Sequence, residues 1–164
     1  IHKELEAAEE VLASVAAKFQ QRFPDIRLSL SAPADPLFVP MDAILVEQVL
    51  MNLMENAACH GHSTRISLTA ERRGEAAVFT VLDNGSGIAP DLLPHIFAPG
   101  LHSQSHTSDN RRNMGIGLSV CRSIVKAHGG AMSAANAPEG GAVFRFTLPL
   151  EPLNMEDIAH EDQG

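Results

Sequence analysis

A single stretch of 32 residues, 83–114, most constrains the fold of this chain of 164 residues. It is rich in Gly, Pro, Ser, His and Asn and shows little hydrophobic periodicity. Structureless loops longer than about 12–15 residues are uncommon inside compact domains and are usually functional or disordered. A strand-like run leads into this stretch and a helix-like run leads out of it. The fold must therefore carry a long connection between a strand and a helix.

Hydrophobic periodicity predicts three helices and six strands around this connection. The predicted helices are 6–22, 42–60 and 116–128, with Asp42 capping the second and Gly61 ending it. The strands are expected at 26–30, 37–39, 64–72, 76–82, 131–135 and 142–149. Because the order shows no regular βαβ alternation, we expect an α+β fold, a two-layer sandwich. We expect one domain over 1–150 and an acidic, disordered tail over 151–164.

The composition of the chain argues against two kinds of partner, nucleic acids and membranes. The formal net charge of −8 argues against nucleic-acid binding, which needs clustered Lys and Arg. No apolar run approaches the roughly 20 residues that span a bilayer, so we expect no membrane insertion by this segment. Cys59 and Cys121 lack metal-site spacing and indicate reduced thiols in a reducing compartment, packed as small core hydrophobes. We expect the chain to be cytoplasmic. The opening Ile1 suggests a piece of a longer protein.

A polar stripe runs along the predicted helix 42–60. Gln48, Asn52 and Asn56 recur every four residues and so share one face. Asparagine is a mediocre helix former because its side chain competes for backbone hydrogen bonds. Its neutral amide oxygen suits Mg²⁺, which shares its other positions with water and phosphates. The stripe is therefore a metal-binding face or an ordinary solvated face, and the spacing leaves both open.

The strand 76–82 runs directly into Asp83, which is followed by two glycines, Gly85 and Gly87. A carboxylate at a strand end can accept a hydrogen bond from the exocyclic amine of adenine. Glycine lets a ligand or another backbone approach closely. The alternative is a plain Asn-Gly turn.

Glycines also open the predicted helix 116–128. Free N–H groups at a helix start, together with the helix dipole, attract anions, and Gly115 and Gly117 leave room for a phosphate. Arg111 and Arg112 just before them can clamp phosphates through charge-assisted hydrogen bonds. A tightly packed junction with two solvated arginines is the alternative.

The order and spacing of these motifs resemble the ATP-binding catalytic domain of sensor histidine kinases. That family belongs to the GHKL group, with gyrase, mismatch-repair and heat-shock chaperone ATPases. The resemblance covers about residues 5–150, including GIGLSVCRSIVKAHGG at 115–130 and PEGGAVFRFTLP at 138–149. The run SDNRRNMGIGL at 108–118 is similar to Kdp-type potassium sensor kinases. The resemblance implies a Bergerat fold, with three helices on one face of a mixed sheet and a long ATP lid.

The resemblance also implies roles for individual residues in binding ATP and Mg²⁺. Asn56 would ligate the metal, Asn52 would help to order metal and phosphates, and Asp83 would bind the adenine amine. Residues 88–114 would form the lid. The other residues implied at the nucleotide are Gly85, Gly87, Ile88, His60, Phe97 as the hydrophobic anchor of the lid, Arg111, Arg112, and Gly115, Gly117 and Leu118 through their backbone N–H groups.

Three departures from the family pattern affect the predicted binding of ATP. Many relatives have a Lys where this chain has Cys59, so Arg111 or Arg112 would have to substitute at the phosphates. An aromatic residue that stacks on adenine is replaced by His60, which stacks less strongly. The segment 98–101 lacks a second aromatic. We therefore expect a loosely held lid and weak, micromolar ATP binding.

The implied reaction is transfer of the ATP γ-phosphoryl group to a histidine on a dimerisation hairpin absent from this chain. The expected partners are that hairpin and a response regulator, and the chain is expected to be a monomer that binds ATP without autophosphorylation. We assign no catalytic residue within it. A hydrolysing ATPase of the group would carry a Glu in place of Asn52, which is no general base. A degenerate nucleotide-binding or docking module and an anti-sigma-type serine kinase remain alternatives.

Overall fold

In the computed structural model, residues 1–99 and 109–150 are described, with the backbone alone for 109–116. Three helices are present, α1 (Ala8–Arg22), α2 (Ala43–Cys59) and α3 (Asp109–Ala127), and a short 3₁₀ turn covers Leu93–His95. The strands are β1 (Glu4–Ala7), β2 (Arg27–Ser31), β3 (Phe38–Met41), β4 (Arg65–Arg73), β5 (Ala76–Asp83), β6 (Met132–Asn136) and β7 (Ala142–Pro149). All six predicted strands form, within one or two residues of their predicted bounds.

The main sheet has five strands in the order β2-β4-β5-β7-β6. The β2–β4 pair is parallel and the other three pairs are antiparallel, so the sheet is mixed, as predicted. A separate pair forms where β1 lies antiparallel to β3, with Glu4 opposite Met41 and Ala7 opposite Phe38. The sequence did not reveal β1, because a four-residue strand carries too little periodicity and depends on a partner far along the chain.

The core lies between the helices and one face of the sheet, which confirms the two-layer sandwich. Alternate residues of β4, β5 and β7 are fully buried on this inner face, and Phe79 stacks on Phe146 with ring centroids 5.0 Å apart. The buried side chains of the helices join the same cluster. In α3 the predicted apolar face of Leu118, Cys121 and Val125 is confirmed, since each is at most 1% exposed.

The start of α2 is fixed by two contacts. Asp42 caps the helix as predicted, because its Oδ1 accepts a hydrogen bond from the Leu45 N–H at 3.4 Å. The Asp42 N–H in turn donates to His128 Nε2 at 3.0 Å, and His128 is 1% exposed. The second ring nitrogen, Nδ1, donates to the Ile124 carbonyl at 2.8 Å. His128 thereby ties the first turn of α2 to the last turn of α3.

Two sequence predictions are wrong. Helix α3 begins at Asp109 and not at 116, so Gly115, Gly117 and Leu118 lie inside the helix and not at its N-terminus. Residues 109–114 contain no Pro, and a helical Gly costs only about 1 kcal/mol relative to Ala, so the two glycines do not stop the helix. Cys59 is exposed rather than packed in the core, because it falls in the last turn of α2, on the side away from the sheet.

Within the described part of the chain, none of the helices is long and apolar enough to cross a bilayer. The predicted tail, residues 151–164, lies outside the described residues.

Candidate functional site

The seam between α2 and α3 brings two predicted site residues together. The Asn52 Nδ2 donates to the Cys121 Sγ at 3.6 Å, which orients the amide toward α3. A Cβ added at Gly117 would lie 3.9 Å from the Asn52 amide carbon and nitrogen. The glycine therefore leaves the Asn52 amide uncovered at this point, where a Cβ would be in ordinary van der Waals contact with it.

Asn56, one turn further along α2, has a polar atom without a partner. Its Nδ2 is buried and forms no hydrogen bond within the described residues. A buried polar group left unpaired costs about 1–3 kcal/mol, so such a group calls for an explanation. Amide nitrogen and oxygen are assigned from the hydrogen-bond network, and turning the amide by 180° exchanges them. Either orientation leaves one atom free, a donor for a phosphate oxygen or an acceptor for a cation.

Asp83 ends β5 on the inner face of the sheet and is 6% exposed. Its Oδ1 accepts hydrogen bonds from the Gly85 N–H at 2.8 Å and from the Ala142 N–H at 3.2 Å. Among the described residues no hydrogen bond reaches Oδ2. The carboxylate is therefore held rigidly through one oxygen while the other keeps its capacity to accept.

Asn84 holds this strand end against the loop after α2. Its Oδ1 accepts from the Thr64 and Arg65 N–H groups, both at 2.9 Å, and its Nδ2 donates to the Thr64 Oγ1 at 2.9 Å. The Ser86 N–H donates to the Gly61 carbonyl at 2.9 Å and closes the same junction. This role was not predicted from the sequence, because an Asn before Gly indicates only local hydrogen bonding in a turn, whereas Thr64 and Arg65 lie 20 and 19 residues away.

The two glycines after Asp83 are required by close contacts. A Cβ at Gly85 would collide with the Gly61 carbonyl oxygen and lie 2.6 Å from the Ser63 Oγ. Gly87 has a φ of +80°, which side-chain-bearing residues rarely adopt. The loop then closes on Asn136, whose Oδ1 accepts from the Ile88 N–H at 2.6 Å and whose Nδ2 donates to the Ile88 carbonyl at 2.8 Å. Asn136 was not predicted, because its partner lies far away in the sequence.

Ser63 adds a second unpaired polar group at this junction. It is 6% exposed, and its Oγ is buried without a hydrogen-bond partner within the described residues. The loop after α2 at Gly61 and the loop after β5 at Gly85 thus pack tightly around one hydroxyl.

His60 caps the C-terminal end of α2, where its N–H donates to the Asn56 carbonyl at 2.9 Å. Partial burial, and secondarily the charge of His62, lowers the pKa of His60, so the ring is neutral at pH 7. A neutral imidazole next to the Asn56 turn is compatible with an aromatic contact but adds no positive charge there. Cys59, which precedes it, is exposed.

Phe97 lies in the predicted lid, and its side chain packs against the core. Its ring meets Phe144 edge-on, with centroids 6.2 Å apart, and it packs against the core beside Ile96, which is 2% exposed. The predicted lid, 88–114, is described only in part: 100–108 lies outside the described residues, and 109–114 is the first part of α3.

The structure thus brings together the predicted residues of α2 and of the loop after β5. The Gly61 N–H donates to the Asn56 carbonyl at 3.1 Å, and the Gly61 carbonyl accepts from Ser86, so a continuous chain of contacts joins Asn56 to the Asp83 loop. Gly117 faces Asn52 across the helix seam, whereas the Leu118 side chain is fully buried in the core. The side chains of Arg111 and Arg112, and the surroundings of Gly115, lie outside what is described. Contact of Gly115, Gly117, Leu118 and the two arginines with phosphates stays a prediction.

A two-layer sandwich with an Asn-bearing helix beside a strand-end aspartate and a glycine loop defines a known class of nucleotide-binding fold. The chain belongs to the family of histidine kinase-, DNA gyrase B- and HSP90-like ATPases, whose model matches residues 41–152.

Among individual proteins, the chain is 38% identical over 152 residues to the sensor protein KdpD of Clostridium acetobutylicum. It is 35% identical over 163 residues to KdpD of Escherichia coli K12. These matches cover 92% and 99% of the chain but only 17% and 18% of the relatives' length. The structure is similar to the catalytic domain of histidine kinase ThkA, with a TM-score of 0.78 and 26% identity, covering 93% of this chain and 99% of that one. The resemblances to sensor histidine kinases and to the Kdp type are confirmed.

Proposed function

We propose that this chain is the ATP-binding catalytic domain of a two-component sensor histidine kinase. In that reaction the γ-phosphoryl group of ATP passes to a histidine on a dimerisation hairpin outside this chain. The observation that carries the proposal is that Asn56 and the Asp83 loop meet at one glycine-lined junction, with Asn52 one turn earlier on α2. The similarity to KdpD sensors and to the ThkA catalytic domain supports it.

The adenine end of the site is built on Asp83. Its Oδ1 is already occupied by two backbone donors, which fixes the direction of Oδ2. The exocyclic amine of adenine donates a hydrogen bond to Oδ2. The carbonyl of guanine in the same place is an acceptor and cannot form a hydrogen bond with the carboxylate. Charge-assisted hydrogen bonds of this kind are about twice as strong as neutral ones. Asp83 therefore orients the base and selects adenine.

The phosphate end is built on α2. The unpaired end of the Asn56 amide fits either Mg²⁺ or a phosphate oxygen, and Asn52 lies one turn away on the same stripe. Bound Mg²⁺ would neutralise charge on the phosphates during transfer. The chain's own part is positioning: two neutral amides hold the phosphates without adding a base, and Asn52 cannot activate water. This favours transfer to a partner over hydrolysis.

The partners follow from the same proposal. The phosphoacceptor hairpin and a response regulator belong to the full protein, and the chain alone binds ATP, is a monomer and does not phosphorylate itself. We place it in the cytoplasm, where ATP is available. A degenerate module without kinase activity is the competing function, and no contact among the described residues favours it.

Calorimetric titration with ATP and Mg²⁺ tests the binding site. We expect micromolar binding that Asp83→Asn weakens by at least about tenfold, since the variant keeps an acceptor for the backbone donors but presents N–H groups to the adenine amine. Asn56→Ala should make binding insensitive to Mg²⁺. Asp25→Asn and Gln21→Ala, changes at exposed positions outside the stripe, the lid and the junction, are matched controls and should bind as the parent does.

Phosphotransfer is tested separately with radiolabelled ATP and the dimerisation hairpin of the same sensor added in trans. Label on the hairpin histidine, lost with Asp83→Asn, is the expected result. Micromolar ATP binding without any transfer to the hairpin would establish the degenerate module instead.

A further inference from the structure

The outer face of the main sheet, opposite the helices, carries an open groove of about 860 Å³. Its floor is apolar and is formed by Leu82 of β5 and Val143 of β7, which are direct partners in the antiparallel register. Leu82 is 39% exposed. One rim is formed by residues 137–140 and the other by β2 and β4. Three helices cover the inner face, and within the described residues no element covers this groove.

Two arginines line the rim on β2 and β4. Arg27 and Arg65 are directly opposite each other in the parallel register, and both are exposed. Like charges opposite each other on neighbouring strands destabilise a sheet. Neither arginine forms an ion pair with any described residue. The next residues on this face, Ser29 and Ser67, hydrogen-bond each other at 3.1 Å and add hydroxyl groups to the rim.

The local charge of this face is opposite to that of the chain as a whole. Arg145 lies on the same face and donates only to the neutral Thr80 Oγ1, at 3.3 Å. Glu71, also on this face, is paired with Arg73 at 2.7 Å. Glu139 is the acidic side chain on the facing rim. In a chain with a net charge of −8, this positive, partly apolar groove is suited to an acidic segment with apolar side chains.

We propose that the groove binds the acidic segment 151–164 of this same chain, with carboxylates on Arg27 and Arg65 and an apolar side chain on Leu82 and Val143. That segment has five carboxylates, no Lys or Arg, and the apolar residues Leu, Met and Ile at 153, 155 and 158. It accounts for five of the eight units of net negative charge. Charge and apolar content therefore match those of the groove.

Chain length allows the contact. Leu150 lies seven residues beyond Val143 along β7, so about 23 Å separates them at about 3.3 Å per residue. The 14 residues that follow reach up to about 46 Å when extended. Exposed ion pairs are individually weak, but tethering supplies a millimolar effective concentration. The contact is therefore intramolecular and sensitive to salt.

The position of the groove gives the contact a consequence. Leu82 and Asn84 line it, and they flank Asp83, whose side chain lies on the inner face. A segment bound in the groove therefore contacts the strand end that carries Asp83.

Amide NMR spectra of the ¹⁵N-labelled full chain test the proposal. One variant removes four of the segment's five carboxylates (E156Q, D157N, E161Q and D162N), and a second removes the two positive charges of the rim (R27Q and R65Q). The amide signals of Ser29, Ser67 and Val143 should shift in the first variant, and the signals of 151–164 should shift in the second. About 0.5 M NaCl should reproduce both changes in the parent chain. The matched control, R72Q with R122Q, removes two exposed positive charges outside the groove and should leave the segment's signals in place.

Three results would overturn the proposal. Groove signals that stay unchanged when these carboxylates are removed would show that the segment does not lie there. Signals of 151–164 that shift equally in the control would show a general charge effect. Shifts that grow with protein concentration would assign the groove to a second copy of the chain. All variants change exposed side chains, and a thermal unfolding midpoint close to that of the parent would show that the fold is kept.

Discussion

Replacing Asn84 with alanine tests how the candidate site is held together. The change removes three hydrogen bonds, each 2.9 Å long, that join the end of β5 to the loop after α2. A net hydrogen bond is worth about 0.5–1.5 kcal/mol, and since Asn84 is exposed, water replaces part of each. We therefore expect a loss of about 1.5–2 kcal/mol in the free energy of unfolding. For a chain of this size that corresponds to a fall of about 3–8 °C in Tm.

A conservative variant separates the individual bonds. Asn84→Asp keeps an oxygen that accepts from the Thr64 and Arg65 N–H groups and loses only the donor to the Thr64 hydroxyl. It should therefore lose less than half as much stability as Asn84→Ala. Urea unfolding followed by circular dichroism measures both variants. The three Asn84 hydrogen bonds do not stabilise the fold as described if the free energy of unfolding of Asn84→Ala stays within about 0.5 kcal/mol of the parent. The same conclusion follows if Asn84→Asp is less stable than Asn84→Ala at low pH, where the added charge of the aspartate is removed.

The remaining predictions concern the glycine loop, the thiols and the core. Gly85→Ala should abolish ATP binding in calorimetry and lower Tm, because its Cβ collides with the Gly61 carbonyl oxygen, and parent-like binding would contradict this. A thiol reagent at pH 8 should modify the exposed Cys59 quickly and Cys121 only after denaturation, because burial raises the pKa of Cys121 to about 11. As the pH rises, the folded Cys121 keeps its proton longer than the unfolded thiol, whose pKa is 9.0. The contribution of Cys121 to the free energy of unfolding should therefore decline between about pH 9 and 11, and this decline should be absent in Cys121→Ala. Leu118→Ala should cost about 2–5 kcal/mol in urea unfolding, since this fully buried side chain joins α3 to the core, and a cost below 1 kcal/mol would show that α3 is not packed as described.

The sequence by itself determined the elements with strong local periodicity. The spacing of apolar residues predicts the buried faces of α2 and α3 and the strands β4, β5 and β7. Burial on one side imposes a period of about 3.6 residues on a helix and of 2 residues on a strand. Asp83 and its two glycines were also recognisable, since a carboxylate and the absence of a side chain are properties of single residues. Spacing placed Asn52 and Asn56 on one helix face, because four-residue steps keep a face, and only the family resemblance implied a role for them at the nucleotide.

Tertiary structure decided whatever depends on a distant partner. Strand β1 exists because Phe38–Met41 lies beside it, and Asn84 and Asn136 act through backbone groups many residues away. Helix α3 begins at Asp109 because a glycine in a helix costs only about 1 kcal/mol relative to alanine and so need not end it. Cys59 is exposed because the core covers the opposite side of α2. The facing of Arg27 and Arg65 is likewise a matter of strand register. Intrinsic preferences of about 1 kcal/mol per residue are enough to predict a helix or a strand from the sequence. Only contacts between residues far apart in the chain determine which helices and strands lie side by side.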